Sequence, residues 1–100
     1  MDEDTTIEEL VNQTLDATLS AVPVYLTDIE MDKDKLCVEN VKEFVFGVIM
    51  GMTFGLASAA IASLKDEMPS EEDQTKIQDI IYTKIPKIRE KIYKIGRAHV

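Results

Sequence analysis

From Phe44 to Leu64 the chain runs 21 residues without a charged side chain. As a helix rising about 1.5 Å per residue, this stretch is roughly 32 Å long, close to the ~30 Å hydrocarbon core of a bilayer. Within it Gly47, Gly51, Gly55, Ala59 and Ser63 recur at every fourth position. Such a row of small residues lets two helix backbones approach closely. Two environments fit it: a membrane, or the dry interior of a soluble helical assembly.

The flanks and neighbours decide between them. Glu43 stands before the stretch and Asp66 and Glu67 stand after it, there is no tryptophan, and only Phe44 and Phe46 could form an aromatic belt. Lys33, Lys35 and Lys42 on one side nearly balance Lys65 and Lys76 on the other, so positive charge specifies no orientation. The final part, LASAAIAS, is only weakly lipophilic. Segments on either side carry apolar stripes of their own, and a helix that is apolar all round can serve as their common partner. If they cover its Phe, Val, Ile and Leu faces, the small-residue row is left for a second copy of the chain. Three glycines in one helix cost about 1 kcal/mol each relative to alanine, and close backbone packing offsets that cost.

The preceding segment, TTIEELVNQTLDATLSAVP, opens with Thr5 or Thr6 followed three residues later by Glu8 or Glu9, a capping-box pattern. Ile7, Leu10, Val11, Leu15, Ala17, Leu19 and Val22 then fall mostly on one broad face at helical spacing until Pro23 disfavours continuation. PVYLTDIEMDKDK has no clear period and reads as a connector, with at most one helical turn around Tyr25 to Ile29. Counted from Asp28, the acids Asp28, Glu30, Asp32, Asp34 and Glu39 occupy positions 1, 3, 5, 7 and 12 of a calcium-binding loop. Lys33 stands where that loop needs glycine, so calcium is not expected, and the acids are assigned to capping the next helix. After the apolar stretch, Ser70 and Asp73 form a second capping-box pattern. Ile77, Ile81, Ile85, Ile88 and Ile92 line one face, with Ile80 beside them, and Pro86 should kink or break the helix near Ile85. Lys84, Lys87, Arg89, Lys91 and Lys94 read as a solvated face at a helix C-terminus.

Charge and composition exclude more than they identify. Residues 1–43 hold 12 acidic and 3 basic side chains, a distribution that repels phosphates and disfavours nucleic acid as a partner. The acidic N-terminus does not resemble an export signal. One cysteine, Cys37, cannot form an internal disulfide and reads as a small half-buried residue. Glu8, Glu9, Asp16, Glu39 and Glu43 lack the Glu-x-x-His spacing of helical di-iron sites. Met50, Met52 and Phe54 are expected to pack in the core rather than to form a ligand pocket.

The last six residues, Ile95 to Val100, read back as ATC-GGA-AGA-GCA-CAC-GTC, the start of a common short-read sequencing adapter; Lys94, as AAG, supplies the bases that precede it. Residues 95–100 are therefore expected to be read-through, which sets aside His99, the sole histidine, and takes the net charge from −8 to −9 once Arg97 is removed. Native sequence beyond Tyr93 is then not visible.

These readings predict a single all-α domain over residues 1–94, with three helices near 6–21, 34–66 and 71–93 and the second as its spine. The expected role is that of a small acidic, non-catalytic structural or interaction protein without cofactor or metal, located in the cytoplasm. It self-associates through Gly47, Gly51, Gly55, Ala59 and Ser63, with room for a further protein partner. The alternative is a single-span membrane protein with Phe44 to Leu64 as the span.

Overall fold

A computed structural model describes residues 3–98, with side chains described through residue 94. It is all-α: α1 (Glu3–Ser20), α2 (Val22–Leu36), α3 (Val41–Lys65), α4 (Glu71–Thr83) and α5 (Ile85–Ala98). α1 followed by α2 makes one rod, α3 the second, and α4 followed by α5 the third. Contacts along the rods fix their directions. Lys65 at the end of α3 bonds Glu3 at the start of α1, Thr53 in the middle of α3 meets Thr18 near the end of α1, and Glu43 at the start of α3 meets Arg89 and Tyr93 of α5. Both outer rods therefore run antiparallel to α3, in a body of 45 × 25 × 17 Å.

Five helices rather than three arise because each outer rod is broken next to a proline. Pro23 lies in the first turn of α2 and Pro86 in the first turn of α5, where the missing amide would have had no helical partner. The two breaks share one hydrogen-bond pattern. At the first, the Ala21 amide donates to the Thr18 carbonyl (3.1 Å) and the Ala21 carbonyl accepts from Tyr25 (3.1 Å); at the second, Lys84 donates to Ile81 (2.9 Å) and accepts from Ile88 (3.0 Å). The break expected near Ile85 is present.

The segment expected to be a connector is instead α2. Val22, Leu26 and Ile29 are buried at spacings of four and three, a helical period masked in the sequence by the exposed Val24 and Met31 and by the interspersed acids. Pro23 starts this helix rather than merely ending the one before.

α3 begins at Val41, not near Asp34, because Cys37 takes a left-handed conformation (φ 57°) that ends α2. The amides of Cys37 and Val38 close that end on the carbonyls of Asp34 (3.3 Å) and Lys33 (2.9 Å), a helix stop usually supplied by glycine. The acids of residues 28–39 do not cap α3. Asn40 does, accepting from the Glu43 amide at 3.1 Å. α1 likewise begins upstream of the expected cap, so Thr5 and Thr6 lie inside its first turn beside Glu3 and Asp4. At α4 the expected capping box is formed: the Ser70 hydroxyl accepts from the Asp73 amide (3.0 Å) and the Asp73 carboxylate accepts from the Ser70 amide (3.3 Å).

The buried apolar residues are all aliphatic among those described. α3 contributes Val45, Ile49, Ala57 and Ile61 with Thr53 among them, α1 contributes Ile7, Val11, Leu15 and Leu19, and the third rod contributes Ile77, Ile81, Ile88 and Ile92. Ile80 and Ile85 of the expected isoleucine face are only half-buried. In the middle of this core the Thr18 and Thr53 hydroxyls bond each other at 2.9 Å, and Thr18 also donates to the Leu15 carbonyl at 3.0 Å. Pairing removes the cost that two isolated hydroxyls would carry in such a place.

Candidate interaction face on helix α3

The inward residues of α3, namely Val45, Ile49, Thr53, Ala57 and Ile61, recur every fourth position. So do Gly47, Gly51, Gly55, Ala59 and Ser63, displaced by two residues. Each residue turns an α-helix by about 100°, so a displacement of two places the second row roughly 200° from the first. The small-residue row therefore points away from the core, and all five of its members are exposed.

Apolar side chains border this row along the helix. Phe44 is 40%, Met52 36%, Leu56 51% and Leu64 64% exposed, values that set them outside the core although nothing in their chemistry favours water. A methyl group built on Gly47, Gly51 or Gly55 would meet nothing within 4 Å. These glycines thus make no close approach within one copy of the chain. The expectation that the outer helices would cover the bulky residues of α3 holds on one side only: they cover the row opposite the glycines and leave Phe44, Leu56 and Leu64 open.

Met52 is not a core residue. It lies at the rim, where its sulfur accepts a hydrogen bond from the Tyr25 hydroxyl at 3.2 Å. Met50 and Phe54 are half-buried and join Gly51, Gln78, Ile81 and Tyr82 around an open apolar groove of about 230 Å³ between α3 and α4. Gly51 belongs to both the groove and the exposed row, so the two surfaces are continuous.

Ion pairs hold the two ends of α3 to its neighbours. At the C-terminal end Lys65 donates to both Asp73 carboxylate oxygens (2.9 and 2.8 Å) and to Glu3, while Lys76 bonds Asp4 (2.6 Å) and Glu72 (3.2 Å). Asp73 is buried, and its hydrogen bonds from Lys65, with those from Ser70, hold its carboxyl below the ordinary range despite the burial. At the N-terminal end one Glu43 oxygen accepts from Arg89 (2.8 Å) and from the Tyr93 hydroxyl (2.7 Å), which lowers its pKa. Arg89 also lies 3.9 Å above the Phe46 ring and Lys42 lies 5.3 Å from the Tyr93 ring centre, both cation–π distances.

Other residues singled out from the sequence do not converge. Glu8, Glu9, Asp16, Glu39 and Glu43 are exposed and dispersed, and no group of three potential metal ligands occurs among the described residues. The acids spaced like a calcium loop lie on α2 and the turn after it, where helical geometry spreads Asp28, Glu30, Asp32 and Asp34 around the axis. Cys37 is exposed rather than half-buried. In the basic cluster, Lys87 faces Asp16 at 3.5 Å and Arg89 is committed to Glu43. The α5 backbone continues as helix through Ala98, whereas His99 and Val100 lie outside the described residues.

Compared with known proteins, the chain matches no family model, no curated protein and no solved structure.

Proposed function

We propose that this chain is a small acidic, non-catalytic interaction protein of the cytoplasm that self-associates through the outward face of α3, with Gly47, Gly51, Gly55, Ala59 and Ser63 as the line of closest approach. One observation carries the reading: a continuous apolar face with small residues along its middle stands exposed directly opposite the core row of the same helix. Exposed apolar residues scattered singly need no explanation, but a contiguous strip of them marks an interaction surface. A second copy is the simplest occupant, because each copy presents the same strip to the other.

The competing reading takes α3 as a single membrane span. It rests on the 25-residue length of that helix and on a mean hydropathy of 2.0 over its most apolar window, of which only 28% is buried. Against it, a lipid-embedded α3 would leave the aliphatic rows of the other four helices without the surface on which they now pack. The soluble reading therefore has priority.

Cell fractionation followed by light scattering on a sizing column tests both. A dimer or larger species in plain buffer is expected, and the exposed-site variant Gly51→Leu should lower its mass while leaving the helical circular dichroism intact. A monomer at micromolar concentration would refute self-association, and recovery only from detergent-extracted membranes would favour the span.

A further inference from the structure

We infer that the groove between α3 and α4 binds a small amphiphilic cation, an apolar body that carries one ammonium group. This site is independent of self-association, because its polar half is built by α4 alone.

The groove has two unlike halves that meet at Phe54 and Gln78, which line both. Its apolar half, about 230 Å³, lies among Met50, Gly51, Phe54, Ile81 and Tyr82. A methyl group at Gly51 would meet nothing within 4 Å, so this half is open to an incoming chain. The polar half, about 420 Å³, is walled on α4 by Glu71, Gln74, Thr75 and Gln78. Their spacing of three, one and three residues puts all four on one face of the helix. Glu71 and Gln78 stand seven residues apart, roughly 10 Å along the axis. An alkyl chain of about eight carbons covers that distance.

Hydrogen bonding in the polar half selects the sign of the ligand. The Gln74 amide nitrogen donates to the Pro69 carbonyl at 3.2 Å, and the Gln78 amide nitrogen donates to the Tyr82 hydroxyl at 2.7 Å. Each bond orients its amide by the nitrogen and leaves the amide oxygen to accept. Glu71 adds an exposed carboxylate with no ion pair among the described residues, whereas Glu72 is paired with Lys76 and Asp73 with Lys65. Two amide oxygens and one carboxylate thus follow one another along a single wall. An ammonium group, with three donors and no acceptor, matches such a wall. A carboxylate or phosphate would meet Glu71 there, and the nearest cations, Lys65 and Lys76, are already engaged with acids of α1 and α4. The ring faces of Phe54 and Tyr82 add to the preference for positive charge. A net charge of −8 draws cations in general, and the apolar half then favours those with a body to bury.

Three probes that differ only in the head group test the site: n-octylammonium, n-octanol and octanoate. Each is titrated below its micelle concentration into the full chain and followed by amide chemical shifts. Octylammonium should shift Gly51, Phe54, Gln74 and Gln78 together and bind at least about threefold more tightly than octanol, with octanoate weakest. Glu71→Gln, a change at an exposed position, should bring octylammonium down to the affinity of octanol and leave octanol unchanged. Tyr82→Ala should weaken octylammonium and octanol alike, with circular dichroism confirming that the variant is folded. Octanoate binding as tightly as octylammonium, or full octylammonium affinity in Glu71→Gln, would overturn the assignment to a cation. Octylammonium shifts centred on Phe44, Leu56 and Leu64, or on Glu3 and Asp4, would overturn the site itself.

Discussion

Replacing Gly47, Gly51 and Gly55 together by alanine should strengthen the single chain and weaken its assembly. Each glycine lies inside α3, where glycine is about 0.8–1.0 kcal/mol less favourable than alanine, and each added methyl enters space with no atom within 4 Å. The three changes should therefore stabilise an isolated copy by about 2.5–3 kcal/mol. For a domain of this size 1 kcal/mol moves the melting midpoint by about 4–8 °C, so the shift is roughly 10–24 °C upward. Between two copies the same methyls hold the α3 backbones apart along the line of closest approach. Association should weaken by at least about tenfold, or 1.4 kcal/mol. Thermal and urea unfolding at several protein concentrations separates the effects, because only the assembly term depends on concentration. A lower midpoint at high dilution would show that the glycines do not face open space in one copy. A raised midpoint with unchanged association would show that copies do not meet on this row.

Three further perturbations test other parts of the molecule. Thr18→Val and Thr53→Val should each destabilise by about 1–2 kcal/mol in urea titrations, whereas the double variant should cost much less than their sum, since replacing both partners of a buried hydrogen bond leaves neither unsatisfied; simple additivity would mean that the two hydroxyls do not depend on each other. Cys37→Gly should raise stability by about 1 kcal/mol, because Cys37 holds a left-handed conformation that costs residues with a Cβ about that much, and an unchanged urea midpoint would contradict the helix stop described for α2. Asp73 and Glu43 titrate lower in the folded than in the unfolded chain, so their contribution is full above the unfolded carboxylate range near pH 4 and is lost as pH falls through the folded values; Asp73→Asn should flatten this acid limb, and urea midpoints that fall in parallel for both proteins would remove Asp73 from the account.

Period was legible in the sequence wherever one class of side chain dominated. Ile77, Ile81, Ile88 and Ile92, the Ser70–Asp73 box and the break beside Pro86 all appear at their expected places because each is specified locally, whereas the break itself turns Ile85 partly out of the face. α2 was hidden because three buried residues, Val22, Leu26 and Ile29, are outnumbered by exposed apolar and acidic ones, and because proline at a helix start looks the same as proline at a helix end. Cys37 could not be read as a stop, since nothing about cysteine announces a positive φ. The Asn40-to-Glu43 spacing did carry the signal for the start of α3, but the acids before it drew the boundary upstream. For the candidate face, the row of small residues was visible in the sequence. Its direction was not, because α3 carries apolar residues on every side and only the placement of the other four helices distinguishes inside from outside.

The matched breaks at Ala21 and Lys84 divide the body into two storeys. α1 and α4 pack with the later half of α3 below, α2 and α5 pack with its earlier half above, and α3 alone passes unbroken between them. Each storey has its own clasp on α3: Lys65 with Asp73 and Glu3 below, and Glu43 with Arg89 and Tyr93 above. Amide hydrogen exchange would register this as two protection classes within each outer rod, changing at Ala21 and at Lys84, with α3 as the slow-exchanging axle common to both.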